Sequence, residues 1–165
     1  LKPLFDEKLL TNDFFAGEFV NTGSSNTYTR FFPSNKFMGC KKGSEGMREL
    51  LNDLETSVST DNSDQPEFEG LTDKYIYKLV TEGKCGLICG KALGTKDKED
   101  KVILIDNWLE EGSVNLCMCS LYCICLPDDE ILHRTKYGWF SRLSHRQVME
   151  GNIQASKFLI LSLGI

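Results

Sequence analysis

The sequence predicts a mainly β protein, an up-and-down antiparallel sheet finished by a single amphipathic helix. Two observations carry that expectation: short alternating segments separated by polar turns from Asp73 onward, and a capped helical stretch that closes the chain. At 165 residues and 41% hydrophobic content, the chain suits one domain, spanning 1–165, with one sizeable core.

Taken in order, "FFAGEFVNTG" and "SSNTYTRFF" read as early extended segments rich in aromatic and β-branched residues. "SEGMRELLNDLETSV" then places Met47, Leu50, Leu51, Leu54 and Val58 at helical spacing, with Ser44 as its cap and Glu45 and Glu49 near its positive end. The polar run "STDNSDQPEFEG" is a loop. From Asp73 the pattern changes to period two, with Tyr75, Tyr77 and Leu79 on one face and Lys74 and Lys78 on the other, which predicts a half-buried strand.

Four further strands follow on the same reading. They are "KCGLICGKAL", "KVILIDNWL", "SVNLCMCSLYCICL" and "EILHRTKYGWFSR", joined by turns such as "GTKDKED" and "PDDE". In the fourth, Leu116, Met118, Tyr122, Ile124 and Leu126 share one face and Cys117, Cys119, Cys123 and Cys125 the other. The last element starts at Ser144, whose spacing to Gln147 is that of a capping box. Val148, Ala155 and Leu159 form its apolar stripe, Gly151 weakens its middle, and Gly164 stands where a left-handed cap belongs.

A formal charge of -5 offers no basic face for nucleic acid. No apolar run approaches the roughly 18–20 residues that span a bilayer. The chain begins with leucine, as expected after loss of a leader, and a secreted or lumenal location follows as the expectation. No G-x-S-x-G, P-loop or H-E-x-x-H pattern is present, so common hydrolase and nucleotide chemistries have no signature here.

Cys40, Cys85, Cys89, Cys117, Cys119, Cys123 and Cys125 make an odd count of seven. In an oxidising compartment they allow three disulfides and one free thiol, with connectivity open; in a reducing one all seven stay thiols. Spread along one continuous strand at about 3.3 Å per residue, the last four sulfurs would cover more than roughly 20 Å, too far for one tetrahedral zinc. Disulfides to Cys40, Cys85 or Cys89 are the expectation, and no residue is assigned to a metal.

The ending Trp139, Ser141, Arg142 and then Ser144 to Ile165 resembles that of the lipocalins. In that family a Gly-x-Trp near the first strand pairs with the late arginine; here "AGEFV" supplies Gly17 and Phe19, so phenylalanine stands in for tryptophan. An arginine over that ring would contribute about 0.5–2 kcal/mol. "LIDNW" resembles a third motif, with Asp106 aligned and Trp108 near the expected tyrosine. The resemblance is strongest over 101–165 and weak over 31–70, where the family has strands and this sequence reads as helix.

The resemblance implies an up-and-down barrel with the C-terminal helix packed on it and room inside for one small molecule. Tyr75, Tyr77, Leu79 and Met118 would face the cavity, together with Tyr122, Ile124, His133 and Tyr137. His133 could bond a ligand carboxylate or ligate haem iron. The implied function is carriage of a small hydrophobic molecule such as a pigment, haem, lipid, retinoid or amine, so a bound chromophore or haem is the candidate cofactor. The oligomeric state stays open. Two alternatives remain: an enzyme on the same barrel, since "NDFFAGEFVNTGSSNTYTRF" resembles the violaxanthin de-epoxidase domain and Asp73 lies beside Tyr75, or a protein-binding module with a filled barrel.

Overall fold

The computed structural model describes residues 7, 9–21, 30–58, 71–125 and 137–163. Three strands form an open mixed sheet: β1 (Phe14–Asn21) lies at its centre, antiparallel to β2 (Arg30–Cys40) and parallel to the short β3 (Gly86–Ile88). The β1–β2 ladder runs from Phe14 opposite Cys40 to Asn21 opposite Arg30, and it is interrupted where Ala16 faces Met38 but Gly17 faces Ser34. Residues 35–37 bulge out of β2 at that point.

The bulge has a partner that explains it. Asp73, buried at the start of the second helix, accepts the Asn35 N–H at 3.0 Å. A main-chain donor that left the ladder is thereby satisfied by a side chain.

One face of β1 is covered by helices α1 (Glu45–Val58) and α2 (Leu71–Thr81). Ser44 caps α1 as the sequence predicts, its Oγ accepting the Met47 N–H at 3.2 Å. Asp13, just before β1, accepts the Glu45 N–H at 3.1 Å and so fixes the helix start to the sheet. Leu50, Ile76 and Leu79 are fully buried against Phe14 and Ala16.

The opposite face carries Phe15 and Phe19, and it is covered by irregular chain. Phe15 packs with Leu9, Ala92 and Tyr122; Phe19 packs with Phe32 and Leu93, with Cys123 and Cys125 alongside. At Gly17 an added Cβ would come within 2.5 Å of Leu93 Cδ1 and 3.0 Å of Phe37 Cβ, so glycine lets this cover approach the strand.

A second core lies toward the C-terminus. It gathers the short helix α3 (Ile105–Leu109), Leu116, Leu121, Tyr137 and Ala155. The chain then enters α4 (His145–Glu150) and α5 (Gln154–Leu163).

The mainly β barrel is therefore overturned: among the described residues there are three strands, and they form an open sheet. The predicted strand at Asp73–Leu79 is the helix α2. Lys74/Lys78 and Tyr75/Leu79 are i,i+4 pairs as well as same-face strand positions, and seven residues do not separate the two periods. Burial of Asp73, Ile76 and Leu79 follows the helical one.

The predicted "KCGLICGKAL" strand contracts to Gly86–Ile88 followed by a 3-10 turn at Gly90–Ala92, and "KVILIDNWL" contains α3 instead of a strand. In the cysteine segment Ser120 turns the chain, donating from both N–H (3.0 Å) and Oγ–H (3.1 Å) to the Cys117 carbonyl. That bond replaces the strand ladder with an ST-type turn.

Of "EILHRTKYGWFSR", residues 137–142 form turns and a 3-10 segment, Phe140–Arg142; the remainder, with His133, lies outside the described residues. The terminal helix is two helices. Ser144 and Gln147 form the predicted capping box, but Gly151 takes an extended conformation and ends α4. Ile153 then bridges to Glu111 and the Gln154 N–H bonds the Glu110 carbonyl, so the chain re-enters helix on a new anchor. Gly164 lies outside the described residues.

Candidate functional site

An apolar cavity lies beneath α5 in the C-terminal core. Half-open and about 270 Å³ in volume, it has Trp108 and Ala155 at its base, Phe158, Leu159, Leu161 and Ser162 along α5, and Tyr122, Cys123 and Ile124 as the opposite wall. Its lining is predominantly apolar, with Tyr122, Cys123 and Ser162 as the residues that carry polar groups, the Ser162 hydroxyl donating to the Leu159 carbonyl at 2.7 Å.

Each wall is held by identifiable bonds. The 122–125 segment docks on the 3-10 turn through Tyr122 N–H to Ala92 O at 2.8 Å and Cys125 N–H to Leu93 O at 3.0 Å. That turn is in turn clamped to β1: Glu18 accepts the Gly90 N–H and the Lys96 ammonium, both at 2.8 Å, with both ion-pair side chains mostly buried. Trp108, 1% exposed, meets Phe158 edge-on with centroids 5.5 Å apart at 79°. The Gln154 side-chain amide donates to the Gly112 carbonyl, seating the start of α5 on the 110–112 loop.

The sequence-predicted residues divide between the two cores. Tyr122 and Ile124 line the cavity, while Tyr137 lies buried nearby and donates its hydroxyl to Asp106 at 3.1 Å. Leu79 on α2 is buried in the cluster with Phe14 and Ala16, with Tyr75 half-buried beside it, Tyr77 is 47% exposed on that helix, and Met118 stands exposed on the Ser120 turn. The barrel interior that would have joined these residues does not form.

Of the motif residues, Trp139 is exposed and edge-on to Phe140, and Arg142 donates from Nε to the Gly138 carbonyl at 3.0 Å. Phe19 is committed to the core with Leu93, and Gly17 to the close approach described above. Phe158, Leu161 and Ser162 were not picked out by the sequence. They flank the Ala155/Leu159 stripe, and only the position of Trp108 makes them a wall.

All seven cysteines are thiols. Cys40 and Cys89 are exposed and Cys85 is buried, its pKa pushed up to about 12 by burial. The last four fall into two pairs, Cys117 and Cys119 with Sγ atoms 3.4 Å apart and Cys123 and Cys125 at 3.5 Å. Hydrogen bonds from Ser120 and Cys119, with the Lys98 ammonium nearby, hold Cys117 below the usual thiol range. In the half-buried pair the Cys125 thiol supports Cys123 as thiolate, which lowers Cys123 and raises Cys125.

Among the described residues no group of three or more His, Cys, Asp or Glu side chains converges as a metal site, and no helix is long and apolar enough to cross a membrane. The fold and cavity define a layered α/β protein with an apolar site under its C-terminal helix. Compared with known protein families, curated proteins and solved structures, the chain matches none, so nothing there supports the lipocalin resemblance.

Proposed function

We propose that the protein binds a small apolar molecule in the cavity under α5. The single observation behind this reading is the combination of a Trp108 base, a Phe158 wall and about 270 Å³ of apolar space. An apolar cavity of about 150 Å³ accommodates benzene, so this one suits a bicyclic ring or a short acyl chain. Occupancy would remove apolar surface from water at about 25 cal/mol per Å², and Ser162 and Tyr122 would orient a polar end.

The neutral probe N-phenyl-1-naphthylamine tests the reading. In a Trp139→Phe background, binding should enhance probe emission and quench Trp108. Leu159→Arg, at a cavity position 41% exposed, should weaken affinity about tenfold, or about 1.4 kcal/mol. Absence of enhancement, or equal affinity in both proteins, overturns it.

A second reading rests on Leu159, Leu161 and Leu163, which are 41%, 57% and 60% exposed along α5. In that reading the cavity receives an apolar side chain of a protein partner. Self-association that Leu159→Arg abolishes, without probe binding, would favour it.

A further inference from the structure

The two Cys-x-Cys pairs share spacing and sulfur separation, but only the first contains an exposed cysteine. Cys119 is exposed and Cys117 half-buried, on the turn closed by Ser120, with Met118 between them in sequence at 42% exposure. The turn brings the sulfurs to 3.4 Å, so a disulfide needs about 1.4 Å of further approach. Rotation about two side chains on a surface turn supplies that movement.

The surroundings favour a thiolate on one particular sulfur. The Cys119 thiol lies 3.4 Å from Cys117 Sγ, within reach to donate to it as thiolate, while Ser120 closes the turn on the Cys117 carbonyl. Lys98 is held nearby by its N–H bond to the Asn115 carbonyl at 2.9 Å, and Lys91, paired with Asp100 at 2.6 Å, also lies within electrostatic reach.

We propose that Cys117 and Cys119 form a dithiol couple that exchanges with low-molecular-weight disulfides of the glutathione type, Cys117 attacking and Cys119 resolving. The Cys117 thiolate attacks one sulfur of the disulfide, forming a mixed disulfide and expelling one thiolate. Cys119, losing its proton to solvent, then attacks Cys117 Sγ and expels the second. The protein dithiol is oxidised by two electrons, and the small disulfide is reduced to two thiols.

The Cys123/Cys125 pair is the internal control. Cys123 and Cys125 pack beside Phe19 and Leu93, Cys123 also lines the cavity under α5, and neither is as exposed as Cys119. This inference is independent of ligand binding under α5.

The experiment uses the full chain in a glutathione redox buffer, followed by acid quenching, alkylation of free thiols and peptide mapping. An intramolecular Cys117–Cys119 disulfide should form first. Cys119→Ser should accumulate glutathione on Cys117, and Cys117→Ser should show neither product at this turn. In the unmodified sequence, which needs no variant to fold, Cys117 should react with iodoacetamide about tenfold faster than exposed Cys40 at neutral pH. A disulfide forming first at Cys123–Cys125, glutathione resting on Cys119 in the unmodified protein, or a Cys117 rate no greater than that of Cys40 overturns the proposal.

Discussion

The two faces of β1 solve one packing problem differently. Phe14 and Ala16 are sealed by α1 and α2, whose main-chain groups are satisfied within each helix except at the ends, where Ser44 and Asp13 meet the first N–H groups of α1. Phe15 and Phe19 are covered largely by short 3-10 turns and irregular chain, and that chain needs many of its polar groups met individually: Ala92 and Leu93 carbonyls by the 122–125 segment, the Gly90 N–H by Glu18. A helical lid is held by its apolar stripe; an irregular lid is held by named hydrogen bonds. The second therefore tolerates loss of packing better and loss of a polar partner worse.

The largest expected effect is on the helical face. Phe14→Ala, at a site with no exposure, should cost about 3–5 kcal/mol, and Phe19→Ala should fall at the low end of that range because irregular cover can collapse into the space. Urea denaturation of both variants measures the difference, and a larger cost at Phe19 would reverse the comparison.

Next comes the polar anchor. Glu18→Ala removes the partner of Lys96 and the acceptor for Gly90 together and should cost about 2–3 kcal/mol, a little under a fully buried pair. Hydrogen exchange should rise at the Tyr122 and Cys125 amides while α1 keeps its protection. Equal loss of protection on both faces would show that the lids are one cooperative unit.

The smallest effect concerns Asp73, the polar contact that ties α2 to the β2 bulge. Burial raises its pKa, and bonds from Asn35 N–H and Ser34, with Lys36 nearby, only partly oppose that. With the folded value above 3.8, its stabilisation is complete below that pH and is lost as pH rises through the raised value. Asp73→Asn keeps an acceptor for Asn35 without the charge, so Tm should fall less between pH 3.5 and pH 7 than in the unmodified protein, by roughly the effect of a sub-kcal/mol change. Parallel Tm profiles would remove Asp73 as the source.

Local signals in the sequence survive intact. Ser44 before α1 and Ser144 with Gln147 before α4 act through bonds three residues long, and these the linear pattern displays. What it does not display is choice between periods over a short window, as at Tyr75–Leu79, or the decision of Ser120 to bond the Cys117 carbonyl instead of joining a ladder. The barrel does not form for that reason: the alternating runs at Tyr75–Leu79 and in the cysteine segment needed strand partners from elsewhere in the chain, and local bonds decide both against a ladder. The site was legible in part. Tyr122, Ile124, Trp108, Ala155 and Leu159 stood out as apolar or aromatic signals, but the helix break at Gly151 and the Gln154 anchor decide that they face one space.

The anchor between Glu18 and Lys96 closes a span of 78 residues, whereas Asn35 and Asp73, which join the sheet to its helical lid, are 38 apart. Roughly doubling a loop adds about 0.6 kcal/mol of closure entropy, and contacts of long separation form late. During synthesis β1, β2, α1 and α2 are all available before Lys96 has been added. The nascent chain can thus complete the helical face of β1 first, while Phe15 and Phe19 still lack Tyr122, Cys123 and Cys125 from their cover, and apolar surface left open in that interval favours self-association.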